Sequence, residues 1–346
     1  MHLNTATPDA PRGIPHAPYR LATPATRPQL HRLLDAGQAW SATYGGRMSN
    51  HLPMAQQALL ELGASAEQLQ AFTEAHETVL EPRAAEPPAR IVLARDLGRP
   101  ASDAAWRAHF TARMAVAGTP TALREALALL LPGAGTIAFH GLIRTGHAVL
   151  AGHDAELAAG LAHWASHFMP LPVLPAEEPL PWPDALQALQ QLPRPADVTG
   201  RFIACRMEAW GAVPGFAAAA ARLPAGPDAL RDLALLAART YAATGNFTVL
   251  HLLTACHALA VLEPWWPTPA LAPGFVVAAA AGLLASGATP ALVLDTPPTR
   301  PWPTLISAAC AQHDAHVIKL THAAWRLGRR WPDPAWRRAV ERAIPV

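Results

Sequence analysis

Residues 301–330 read PWPTLISAACAQHDAHVIKLTHAAWRLGRR and predict a long helix near the end of the chain. This segment contains Lys319, the only lysine among the 27 lysine and arginine residues. Three histidines lie near it, at positions 313, 316 and 322. Arginine replaces lysine where only a positive charge is needed, but it cannot replace a compact primary amine. The single lysine is therefore a candidate for a chemical role.

Most of the remaining chain also shows the apolar spacing of helices, and prolines separate the helical segments. Gly63 is a predicted C-cap, and Ser65 with Gln68 has the spacing of a capping box. Strand-like alternation occurs only at residues 90–94 and 290–295. The pattern as a whole predicts a mainly α fold.

The predicted organisation is a single domain over residues 27–346, with a helical bundle-like architecture and proline-rich connections. Residues 170–198 hold many prolines and are expected to form a long surface connection. Residues 1–26 are rich in proline and lack an apolar core, so a disordered lead-in is expected there rather than a secretory signal.

The composition argues against several classes of protein. The net charge is +2 and charged residues make up 15% of the chain, without a basic face, so nucleic acid is not an expected partner. The three cysteines are far apart and form no paired motif, which predicts a reducing compartment, the cytoplasm. The apolar segment 264–294 is interrupted by prolines, so it is expected to be a buried helix and not a membrane span.

Several histidines fall inside apolar helical segments, where an imidazole requires a role. His140, Arg144 and His147 share one stripe of a predicted helix. His140 is either a metal ligand or a core residue, whereas His147 fits a core residue better. His251 and His257 lie six residues apart in another apolar helix and point about 120° apart, so one is a ligand candidate and the other a group beside it.

His51 lies where a glycine-containing loop is expected to become a helix, a common location for functional residues. His316 and Lys319 are three residues apart and share a helix face that neighbouring apolar residues are expected to bury. A buried neutral amine reacts with CO₂ to give a carbamate, which offers oxygen to a metal. A Schiff base with a carbonyl substrate and a side chain that extends to the surface are the alternatives.

Four blocks together give a resemblance to a known family: SNHLPMAQQALLELGAS, FHGLIRTGHAV, NFTVLHLLTACHAL and HDAHVIKLTHA, in this order between residues 49 and 323. They resemble the questin oxidase-like family, whose fungal members open the ring of anthraquinones in a Baeyer–Villiger-like oxygenation. The resemblance implies a mainly helical oxidoreductase with a non-haem iron centre that includes a carboxylated lysine. The matching metal positions are His51, His140, His251, His257, His316 and Lys319.

The resemblance also implies substrates and cofactors. An aromatic or polyketide-type carbonyl compound and O₂ are the expected substrates, with Fe(II) as the metal. Arg144 could pair with a substrate oxyanion, and His257 could act as a catalytic group. No glycine-rich motif for an FAD site is visible, so NADPH would need an unrecognised site or a separate reductase. A zinc hydrolase or lyase that uses the same histidines, and a non-catalytic binding protein, are the alternatives.

Overall fold

The computed structural model describes residues 23–84, 90–196, 200, 202–266, 270–294 and 296–344. The predicted mainly α fold is confirmed, with 17 α-helices among these residues. The helices are α1 (Arg27–Gly37), α2 (Leu52–Leu62), α3 (Ala66–Glu77), α4 (Leu93–Asp96), α5 (Asp103–Ala117), α6 (Thr119–Leu130), α7 (His140–Ala151), α8 (Asp154–Ser166), α9 (Trp182–Gln190), α10 (Ile203–Gly211), α11 (Phe216–Ala221), α12 (Ala229–Thr244), α13 (Phe247–Leu262), α14 (Pro273–Ser286), α15 (Trp302–Cys310), α16 (Ala315–Arg330) and α17 (Ala335–Ala343).

The strands lie elsewhere than the sequence suggests. Thr43–Tyr44 and Met48–Ser49 form a two-stranded antiparallel hairpin just before α2. Residues 90–94 lead into the short helix α4, and residues 290–294 form no strand; residue 295 lies outside the described residues. Neither candidate segment therefore forms a strand in its described residues, because a short alternating pattern does not supply a partner strand.

Local helix signals match the structure where a cap defines them. Gly63 ends α2 in the left-handed conformation, and Ser65 and Gln68 form both hydrogen bonds of the capping box. The long helix expected over residues 301–330 is instead two helices, α15 and α16. Asp314 begins the second, because its carboxylate accepts a hydrogen bond from the backbone N–H of His316. The connection at 170–198 contains α9 in its described part.

Four helices form the part of the core that matters for function. Helix α2 packs on α7 and α16, and α13 packs on the same two helices, so the four close into a ring. All four run in the same direction, because His140 contacts His251 at one level and His147 contacts His257 six or seven residues further along. Side chains at matching positions of these helices therefore meet in layers across the ring.

Small residues allow α7 and α13 to approach closely. A β-carbon added to Gly146 would lie 2.9 Å from Ala258 Cβ and 3.0 Å from Ala258 Cα. Such distances are too short for a carbon–carbon contact without a shift of the backbone. Glycine at this position therefore holds the neighbouring His147 and His257 near one another.

The ends and apolar segments of the chain can be compared with the predictions. Of the predicted lead-in, residues 1–22 lie outside the described residues, and the backbone N–H of Ala25 donates to Ala64 O. Phe247–Trp265 is one helical segment long and apolar enough to cross a membrane by length and composition, and 72% of its tested window is buried inside the protein. Helix α14, in the apolar segment 264–294, is also buried.

Candidate functional site

Four histidines meet where α2, α7, α13 and α16 begin. The rings of His51 and His140 are nearly parallel and meet at their edges, with 4.8 Å between centroids and 2.8 Å between their Nε2 atoms. His316 packs edge-on against His51 at 4.5 Å, and His251 lies 4.9 Å from His140 and 5.3 Å from His316. We call these four histidines and Lys319 the outer layer, because His316 retains 20% of its side-chain exposure.

The helix starts place each of these side chains. His51 is the N-cap of α2, His140 is the first residue of α7, His316 is the second residue of α16, and His251 lies in the second turn of α13. The positive ends of four helix dipoles therefore converge on the outer layer. This arrangement disfavours further positive charge there and favours an anion.

Hydrogen bonds fix the orientation of three of the four rings. The Nδ1 atom of His140 faces Ile137 O, that of His251 faces Phe247 O at 2.8 Å, and that of His316 faces a carboxylate oxygen of Asp314 at 3.0 Å. Since each acceptor requires a proton on Nδ1, the Nε2 atom of each ring carries a free lone pair. This is the tautomer in which histidine binds a metal through Nε2.

The three residues before His140 adopt the left-handed backbone conformation although none of them is glycine. Ile137, Ala138 and Phe139 have φ values of 46°, 52° and 68°. A left-handed conformation costs about 1–2 kcal/mol for each non-glycine residue. The turn aims the Ile137 carbonyl at His140 Nδ1 and delays the start of α7 to residue 140, although the sequence predicts helix from residue 135. Backbone strain of this kind is concentrated at functional sites.

Lys319 is buried beside these rings with 1% of its surface exposed. Within the described part of the chain, its amine has no hydrogen-bond or ion-pair partner. Burial lowers the pKa of Lys319 to about 7. Burial also lowers the pKa of His51, His140, His251 and His316, and the charge of Lys319 lowers each of them further. The outer layer is therefore an assembly of neutral imidazoles around an amine that readily loses its proton.

A second group of histidines lies further along the same helices. His147, His257 and His322 are buried, and one ring nitrogen of each lies within 4.8 Å of the others. We call these three residues the inner layer. Six or seven residues of helix separate each from its partner in the outer layer, a rise of about 9–10 Å. The structure thus places His257, predicted as a metal ligand or catalytic group, away from the other predicted ligands.

Helix α2 supplies polar groups to the inner layer as well. The Nδ1 atom of His147 lies 2.6 Å from Gln57 Oε1, and the Nε2 atom of His322 lies 2.9 Å from Glu61 Oε2. Arg326 also donates to Glu61 Oε2, at 2.6 Å. Two nitrogens in this layer, His257 Nε2 and His322 Nδ1, are buried without a partner. His147 and His322 were not predicted as ligands from the sequence. The signal that could have indicated them is the histidine spacing of six or seven residues that recurs on three helices.

Arg144 does not project into either layer as a free cation. Its Nε and Nη2 donate to the Glu156 carboxylate at 2.6 and 3.0 Å, and both side chains are 4% exposed. Gln38 donates to the same carboxylate. The structure thus places Arg144 in a buried ion pair between α7 and α8, while its Nη1 has no hydrogen-bond partner. Its role in binding a substrate oxyanion stays a prediction.

A cavity of about 660 Å³ is lined by none of the outer-layer residues and adjoins that layer through Phe247. Its lining is a mixture of apolar and polar side chains and includes Asn246 and Phe247. Phe247 is 52% exposed, and its ring packs against His251 at 4.7 Å and His316 at 4.6 Å. A cavity of this volume is large enough for a substrate of several fused rings.

The fold and site define a mainly α protein with a buried histidine and lysine centre. Residues 48–197 match the model of the family described as questin oxidase-like, and this match confirms the resemblance predicted from the sequence. The matched range contains His51, His140 and His147, while α13 and α16 lie beyond it. No curated protein matches the chain. The family name indicates an oxidase or oxygenase.

Proposed function

We propose that the chain is a non-haem iron oxygenase in which the outer layer binds the metal and the neighbouring cavity binds an aromatic carbonyl substrate. The observation that carries the proposal is the convergence of four neutral imidazoles on a buried lysine. The family match supports an oxidase in general, and the donor set supports this particular centre.

The residues of the outer layer fit a metal in three respects. Three rings have their Nδ1 atoms engaged, which leaves Nε2 free. The 2.8 Å between His51 Nε2 and His140 Nε2 is close to the roughly 3 Å between adjacent ligands at right angles, each about 2.1 Å from one metal. Both atoms would repel as bare lone pairs, so a proton or a cation must lie between them.

Lys319 would complete the donor set after carboxylation. Its neutral amine attacks CO₂, an N–C bond forms, and the nitrogen loses one proton to give a carbamate. The converging helix starts favour this anion. Four nitrogens and one oxygen form a donor set suited to iron.

When bound, iron would supply the redox chemistry that activates dioxygen and would stabilise negative charge that develops on oxygen. The protein itself holds the imidazoles neutral by burial, fixes their tautomers and limits water access with Phe247. The substrate would lie in the cavity beside Phe247 and undergo a Baeyer–Villiger-like ring opening. The described residues form no parallel sheet with a glycine-rich turn, so NADPH, the proposed electron donor, would need an unrecognised site or a separate reductase.

Metal content and carboxylation can be measured together. The wild type, Lys319→Arg, Lys319→Ala and the matched control His163→Gln, a buried histidine outside both layers, would be purified without oxygen or chelator. We expect iron in the wild type and control, its loss in both lysine variants, and its recovery in Lys319→Ala on addition of acetate. Protein equilibrated with ¹³C-bicarbonate should show a carbamate signal that Lys319→Arg lacks. Oxygen uptake with a hydroxyanthraquinone tests the reaction.

Full iron retention in Lys319→Arg, together with no carbamate signal in the wild type, would overturn the proposed centre. Iron binding without oxygen uptake on any polycyclic quinone or phenol would retain the centre and overturn the substrate class. Zinc in place of iron would overturn the oxygenase.

A further inference from the structure

The inner layer has an unfilled bonding requirement. His257 Nε2 and His322 Nδ1 are buried without a hydrogen-bond partner. A buried polar atom without a partner costs about 1–3 kcal/mol. Two such atoms on histidines of the same small cluster indicate that a group belongs between them.

Hydrogen bonds to side chains of α2 determine which ring nitrogens of His147 and His322 carry a lone pair. His147 Nδ1 contacts Gln57 Oε1 as a donor, so His147 Nε2 carries the free lone pair. His322 Nε2 donates to the Glu61 carboxylate, so its Nδ1 carries the free lone pair. A carboxylate or amide oxygen behind a ligating histidine is the usual support of a metal-binding imidazole.

The geometry points to a second metal site: we propose that His147, His257 and His322 bind one divalent ion of the zinc class in the inner layer. Three ring nitrogens already lie within 4.8 Å of one another. Two nitrogens on a tetrahedral zinc ion are about 3.3 Å apart, given zinc–nitrogen distances of about 2.0–2.1 Å. Ion binding would therefore draw the three nitrogens closer together by rotation of the rings.

The chemistry of the ligands separates this site from the outer layer. Its ligands are three neutral imidazoles with no oxygen donor, a set that suits zinc and copper. Glu61 offsets part of the ion's charge through His322, although Arg326 shares the same carboxylate oxygen. The three ligands leave a fourth position free.

The position of the proposed site in the fold indicates a mainly structural role for the ion. His147, His257 and His322 come from α7, α13 and α16, so one ion would join three helices of the ring. All three ligands are at most 3% exposed, so the ion has no direct access to the cavity beside Phe247. This site is independent of the outer layer and would bind zinc even if the outer layer bound nothing.

Zinc binding can be counted in protein that lacks the outer site. Full-length Lys319→Arg and Lys319→Arg/His257→Gln would be stripped of metal and titrated with zinc, with Lys319→Arg/His163→Gln as the control. We expect native mass spectrometry to show one zinc ion in Lys319→Arg and in the control, and none in the His257 variant. Cobalt should give the absorption bands of a tetrahedral site in the first and third proteins alone.

Zinc K-edge absorption of Lys319→Arg tests the ligands without a core substitution, and three imidazole nitrogens are expected. If Lys319→Arg binds no zinc, or binds it through fewer than three imidazoles, the inference is overturned. The same result follows if the folded His257 variant binds zinc as Lys319→Arg does. A loss of iron from the wild-type outer layer would not change these outcomes, so the two proposals fail separately.

Discussion

The outer and inner layers share three helices but differ in access and in charge. The outer layer contains His316, which is partly exposed, and a lysine among its rings, and it lies where four helices begin. The inner layer contains three buried imidazoles, and its orienting groups come from Gln57 and Glu61 of α2. The bundle therefore has a partly exposed layer at the helix starts and a buried layer further along the same helices.

The difference shows how the surroundings of a histidine determine its use. In the outer layer, backbone carbonyls and Asp314 orient the rings, and the converging helix dipoles favour an anion such as a carbamate. In the inner layer, Gln57 and Glu61 orient two rings, and no lysine lies among them. Under the two proposals, the same residue type would support reaction chemistry in one layer and helix attachment in the other.

Replacement of Arg144, which lies between the two layers on α7, should have the largest effect on stability. We expect Arg144→Met to lower the free energy of unfolding by about 3–5 kcal/mol, because it leaves Glu156 buried without its cation. Arg144→Met/Glu156→Leu should recover most of this loss in chemical denaturation. Metal content per folded molecule should be unchanged in both. A folded, metal-loaded Arg144→Met protein that no longer turns over substrate would support the substrate role predicted from the sequence.

Addition of one methyl group at the contact between α7 and α13 should disturb both layers, because both helices contribute to each layer. We expect Gly146→Ala to reduce the free energy of unfolding by about 1–3 kcal/mol, because its new methyl group meets the Ala258 backbone. Gly37→Ala is the matched control: it adds the same group to α1 where nothing lies within 4 Å. Equal denaturation midpoints for the two variants would show that the contact between α7 and α13 is not tight.

Replacement of Phe247 should have the smallest effect on stability, and it tests whether the two layers differ in their access to solvent. Phe247→Ala should change the free energy of unfolding by less than about 1 kcal/mol, because the side chain is half exposed. It should speed removal of metal from the outer layer by a chelator several-fold, since the ring packs on His251 and His316. Removal from the inner layer should keep its wild-type rate, and so should both layers in the exposed-site control Val116→Ala. A faster loss from the inner layer would contradict the separation.

Local sequence signals predicted some helix ends well and others poorly. Gly63 and the Ser65–Gln68 box were readable because a cap is made by residues within one turn. The break before α16 and the left-handed turn before α7 were missed. Asp314 is a helix cap within a longer stretch of helical apolar spacing, so the spacing alone did not show the break. The backbone strain at Ile137 to Phe139 depends on the tertiary packing that holds it.

Five of the six residues that were predicted as metal ligands from the sequence lie together in the outer layer. The sequence did not show that a second layer exists. Helical geometry gave the angle between His251 and His257, yet it could not say which helices face each residue. The structure joins His257 to His147 and His322, and pairs Arg144 with Glu156, because those partners come from distant segments.

By itself, the sequence determined the helical class, the caps and the single buried amine, because these follow from residues within a few turns of one another. The tertiary structure alone decided that four helices run in one direction and that their histidines divide into two layers. Helix direction and neighbours depend on how connections and small residues such as Gly146 let the helices pack. That information is distributed over the whole chain and is not written in any one segment.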